Sequence, residues 1–122
     1  MKFKYLLLIP VLLCDLTAFA EGEPAYKPLS GSYNIYGGSL ADMTAPRKAD
    51  QKIAFDLDKK VAKEIFESIG PDLKGEQVCA ADPKDRFRRK GNIQCIRSQN
   101  GEYSCTFGFD LSTGKSIIGS IC

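Results

Sequence analysis

Five cysteines, a basic run and the complete absence of histidine set the limits on the chemistry open to this chain of 122 residues. Ser-His-Asp and Cys-His arrangements cannot be built, because no other side chain titrates near neutrality in its unperturbed state and takes the nucleophile's proton. The cysteines are Cys14 and then Cys79, Cys95, Cys105 and Cys122. A tetrahedral zinc site wants closely spaced pairs such as Cys-x-x-Cys, and no two of these are that close. The nearest, Cys95 and Cys105, have nine residues between them. Cys14 falls within the N-terminal segment expected to be cleaved on export, and the even set of four that remains reads as two disulfides. The expected pairing is Cys79 with Cys95 and Cys105 with Cys122, since direct bridging across the Cys95 and Cys105 strands is geometrically awkward. Three connectivities remain open to four cysteines.

The local charge anomaly is Lys84-Asp85-Arg86-Phe87-Arg88-Arg89-Lys90, five basic residues and one aromatic in seven positions. Such runs are usually solvated loops. The functional reading is a basic binding patch in which Lys84, Arg86, Arg88, Arg89 and Lys90 steer an acidic-surfaced envelope protein and Phe87 supplies contact area. Nucleic acid is a poor partner for a chain whose formal net charge is only +2. Two further motifs fall to blander readings. Gly114-Lys115-Ser116 ends like a phosphate loop, yet Phe109 stands where the upstream glycine is required, and a polar turn between strands explains the run. Asp56 and Asp58 resemble a carboxylate pair, but their place at a helix start points to capping. Nothing in the sequence asks for a metal or cofactor. Tyr33 and Tyr36, flanked by glycines, read as sheet packing or as a binding edge.

The compartment follows from the first twenty residues. Lys2 and Lys4 precede the apolar run Tyr5 to Leu13, and Ala18-Phe19-Ala20 supplies small residues for cleavage. The run contains Pro10, meets Asp15 and is shorter than the ~20 apolar residues a membrane span needs. Leu12-Leu13-Cys14 resembles a lipoprotein site, but Leu13 occupies the position where a small residue is wanted. Residues 1–20 are therefore expected to be a signal peptide of bacterial type, cut near Ala20, with a periplasmic or secreted product. Cleavage would remove Lys2, Lys4 and Asp15, leaving 15 basic against 14 acidic residues.

The elements that position these residues follow from periodicity. Residues 21–31 are expected to form a flexible arm and residues 32–122 a single disulfide-stapled domain. Ser32 to Tyr36 reads as a strand ended by Gly37-Gly38. Ile53, Phe55 and Leu57 alternate with polar partners in a second strand. Asp58 then caps a helix whose Val61, Ile65, Phe66 and Ile69 form one apolar stripe, with Lys60–Glu64 and Lys63–Glu67 on its wet side. Ile93 to Arg97 and Tyr103 to Asp110 form a hairpin around Asn100-Gly101, with Tyr103, Cys105, Phe107 and Phe109 forming the core under the helix. Ser116 to Cys122 is a last strand or tail. The expected class is α+β: one amphipathic helix packed on a small antiparallel sheet, with two disulfides in the C-terminal third. Small size, export and missing catalytic groups predict a non-catalytic binding protein of the envelope, such as an inhibitor or immunity protein. The rivals are an envelope structural or stress factor and an enzyme with histidine-free chemistry on cell-wall material.

Overall fold

Ile53, Phe55 and Leu57 place three apolar side chains on one face of a strand, and their neighbours build the sheet around it. The computed structural model describes residues 22, 24–75 and 82–122, so the expected signal peptide and Cys79 lie outside the described residues. Strand β3 (Lys52–Asp58) pairs antiparallel with β1 (Ser30–Gly38) on one side and with β6 (Tyr103–Asp110) on the other. Beyond β6 lie β5 (Ile93–Arg97) and β4 (Arg86–Lys90), also antiparallel. Two short strands complete the sheet: β2 (Met43–Thr44) on the tip of β1, and β7 (Ser116–Ile117) on β6. The order is β2-β1-β3-β6-β5-β4. The one helix among the described residues, α1 (Lys59–Ser68), follows β3 with no intervening loop. The expected α+β class is therefore observed, with two differences. The arm ends sooner, since β1 begins at Ser30, and the basic run is strand β4 rather than a loop.

Helix α1 packs on one end of one sheet face. Ala62, Phe66 and Ile69 bury against Cys95 and Cys105, with Ile65, Ile93 and Tyr103 around them. Phe66 meets the Tyr103 ring edge-on, with centroids 5.4 Å apart. The opposite face buries Tyr36, Ala54 and Phe87. There the C-terminal segment presses close: a Cβ added at Gly119 would stand 2.5 Å from the backbone N and O of Phe107. Thr106 and Ser120 share a hydroxyl hydrogen bond of 2.7 Å. Only glycine lets that segment approach the strand so closely.

The disulfide pairing differs from the expected one. Cys95 and Cys105 are bonded to each other. Register explains it: the two residues are direct cross-strand partners, with Cα atoms 4.1 Å apart. That is the close spacing of a non-hydrogen-bonded antiparallel pair, where facing side chains approach one another most nearly. Cys122 is also in disulfide linkage, and Cys79, the expected partner of Cys95, lies outside the described residues.

Asp58 occupies the N-cap position in extended geometry, but its side chain makes no capping hydrogen bond. Alternation along β3 puts Leu57 on the helix face and Asp58 on the other, away from the first free amides of α1. Its Oδ1 is buried without a hydrogen-bond partner. The abrupt strand-to-helix junction also forces Lys59 to φ 54°, a left-handed conformation uncommon outside glycine.

Candidate binding surface

Pleating splits the basic strand. Arg86, Arg88 and Lys90 point to the helix side of the sheet, and Phe87 and Arg89 to the other. Arg88 is the most enclosed, with its side chain 17% exposed. Its Nε donates to Asp72 Oδ1 at 2.6 Å, and its Nη1 donates to the Phe66 carbonyl at 2.8 Å and the Ile69 carbonyl at 3.4 Å. Its guanidinium lies 4.2 Å from the Phe66 ring centroid. The last turn of α1 carries no basic residue of its own, so Arg88 supplies the cation that its free carbonyls and negative dipole end favour. Arg86 donates from Nε to the same carboxylate at 2.8 Å. Hydrogen bonds first from Arg86 and then from Arg88 hold the Asp72 carboxyl down, at about 2 against an ordinary 3.8.

Two of the five predicted basic residues thus spend their donors inside the molecule. Lys84, Arg89 and Lys90 are exposed. Phe87 is 1% exposed, so it offers no contact area to a partner; it is core on the far face, with the Arg89 guanidinium 5.3 Å from its ring centroid. The run is brought together as a strand, but not as one continuous patch.

A larger surface lies on the helix side, where α1 stops short. A ten-residue helix is about 15 Å long, and α1 crosses only the Leu57, Cys105 and Cys95 end of its face. At the other end Ile35 pairs with Ile53, Tyr33 with Phe55, Phe55 with Phe107, and Ile53 with Phe109. Phe55 stacks on Phe107 with centroids 5.1 Å apart, and Phe109 meets both rings edge-on. Tyr33 is 69% exposed, Ile35 41% and Phe109 38%. The expectation that Phe107 and Phe109 lie under the helix is corrected accordingly. Sequence reasoning had one usable signal, since four strands contribute more apolar side chains to this face than a helix of under three turns can cover.

Groups that would carry a reaction are differently placed. A cleft of about 620 Å³ beside the start of α1 is lined by Asp58, Lys59, Lys60, Lys63, Gly101, Glu102 and Tyr103, charges of both signs around one phenol. On the other face Asp56 accepts a hydrogen bond from the Ser104 hydroxyl at 2.8 Å. Ser112 and Lys115 stand at the Ser-x-x-Lys spacing of a serine-lysine pair, but on the exposed turn between β6 and β7. There Ser112 Oγ donates to the Ala49 carbonyl at 3.3 Å, and Gly114 takes φ 76°. Among the described residues no group of three or more His, Cys, Asp or Glu is arranged to hold a metal, and no helix is long and apolar enough to cross a membrane.

The chain matches no protein-family model, no curated protein and no solved structure.

Proposed function

We propose that this chain is a non-catalytic binding protein exported to the bacterial envelope, of the kind represented by inhibitors and immunity proteins, and that it contacts its partner through the open aromatic face. The observation that carries the reading is the Phe55, Phe107 and Phe109 cluster with Tyr33 and Ile35 beside it, left uncovered by α1. Aromatic side chains in a contiguous exposed patch are what protein interfaces are built from, because each removes a large area from water at little entropic cost. The Cys95–Cys105 bridge supports an oxidising compartment. The lysine-led N-terminal segment supports export.

The test is affinity capture from envelope extracts with the oxidised Glu21–Cys122 chain, at low and moderate salt. Three forms are compared: the wild type, Phe109→Asp, and the double charge reversal Arg89→Glu with Lys90→Glu. Contact through the apolar face predicts a stoichiometric partner retained at moderate salt, lost with Phe109→Asp and kept by the charge reversal. A partner lost with salt and with the charge reversal would return the contact to the basic strand. Capture of none would overturn the binding reading.

A further inference from the structure

Along Ser30–Tyr36, strand β1 is the edge of the sheet. β3 pairs with its inner side, and β2 reaches only Gly37 and Gly38 on the outer side. Among the described residues nothing pairs with the outer side of those seven positions. Natural edges are guarded by lysines, prolines, bulges or covering elements, because bare backbone donors and acceptors recruit another strand. Among the described residues, Ser30–Tyr36 carries no lysine, no proline and no covering strand on this side. From Pro28 to Ala41 there is no charged residue, and Gly31 to Ile35 are exposed. Tyr26, Leu29, Tyr33, Ile35 and Met43, on or beside this strand, are five of the nine large hydrophobic side chains left exposed among the described residues, which marks the edge as a contact surface.

We infer that β1 pairs antiparallel with β1 of a second copy of this chain, about a two-fold axis through Tyr33, joining two sheets edge to edge. Charge selects this occupant and this direction. The uncharged run is preceded by Lys27 and followed by Asp42. Antiparallel self-pairing brings the basic end of each copy beside the acidic end of the other, and places no like charges opposite each other within the paired segment. Centring on Tyr33 uses all seven open positions: Ser32 then faces Asn34 of the other copy, Gly31 faces Ile35, and Ser30 faces Tyr36. The axis is perpendicular to the sheet, so both aromatic faces lie on the same side of the joined sheet and remain open. The pairing therefore stands independently of the partner proposed above. Seven paired residues cover less than the ~800 Å² per partner of a standard interface, so the dimer is weak and depends on concentration.

Sedimentation equilibrium of the oxidised chain, purified from an exporting host, tests this over a micromolar to millimolar series. The wild type should show an average mass rising toward twice that of the monomer. Tyr33→Lys and Tyr33→Glu each put like charges on the axis, and each should weaken dimerisation by about tenfold or more. Mixed in equal amounts, the two variants should dimerise again, because each heterodimer pairs opposite charges there. Tyr33 is 69% exposed, so both variants keep the fold, which circular dichroism checks. A wild type that stays monomeric throughout overturns the inference, as does a Tyr33→Lys chain that dimerises like the wild type or a mixture that does not recover. Hydrogen-exchange protection on dimerisation should fall on Ser30–Tyr36. Protection at Phe107 and Phe109 instead would put the second copy on the aromatic face and overturn edge pairing.

Discussion

Replacing Arg88 by alanine removes the side chain that ties β4 to the end of α1. Its Nε loses Asp72 at 2.6 Å, its Nη1 loses the Phe66 carbonyl at 2.8 Å, and the Phe66 ring loses a guanidinium 4.2 Å away. A hydrogen bond involving a charged group contributes about 1.5–3 kcal/mol, and a partly desolvated cation over an aromatic ring about 1–2 kcal/mol. Arg88 is 17% exposed and Asp72 30% exposed. Screening at Asp72 lowers the sum, and the expected loss is about 3 kcal/mol, against less than about 0.5 kcal/mol for Arg89→Ala one position along. Urea unfolding of the oxidised chains at pH 7 measures both.

The acid limb gives a second reading of the same contact. The Asp72 carboxyl is held at about 2 in the folded chain against 3.8. A lowered folded value stabilises the protein above the unfolded value, and that stability is lost as the pH falls from about 4 toward 2. Unscreened, the displacement corresponds to about 2.5 kcal/mol. With Asp72 partly exposed, about 1 kcal/mol is expected. The Asp72→Asn chain should therefore be less stable than the wild type at pH 7, with the gap closing toward pH 2. Equal and small losses for Arg88→Ala and Arg89→Ala would refute the reasoning and return the whole basic run to a solvated face.

Proteolytic mapping without reduction should recover Cys95 and Cys105 in one linked fragment pair. A Cys79–Cys95 or Cys105–Cys122 fragment would contradict the observed register. Replacing Cys95 and Cys105 together by serine puts two hydroxyls into a fully buried site and opens the bridge, for an expected loss of about 2–5 kcal/mol by thermal or urea unfolding. Lys59→Gly should stabilise the chain by about 0.5–1 kcal/mol, because glycine takes the observed φ of 54° without steric penalty; Lys59→Val should do the reverse. Gly119→Ala drives a methyl group against the Phe107 backbone and should destabilise by about 1–3 kcal/mol, with increased proteolysis of the C-terminal segment.

Local pattern alone determined a good deal of this protein. Two-residue alternation marked β3 and the β5–β6 hairpin, and the spacing of Val61, Ile65, Phe66 and Ile69 marked α1, which begins at Lys59, directly after Asp58. These signals need only neighbours, because periodicity follows from backbone geometry within one element. What the tertiary structure decided depends on residues far apart in sequence. Cys95 bonds Cys105 because the hairpin register sets them opposite each other. Arg88 is a structural staple rather than a free cation because α1 ends over β4 and Asp72 arrives beside it. Phe87 is buried and Phe109 exposed because the C-terminal segment and a ten-residue helix each cover only part of a sheet face. Composition counts the apolar side chains available to a fold, but only the packing of the elements decides which of them water still reaches.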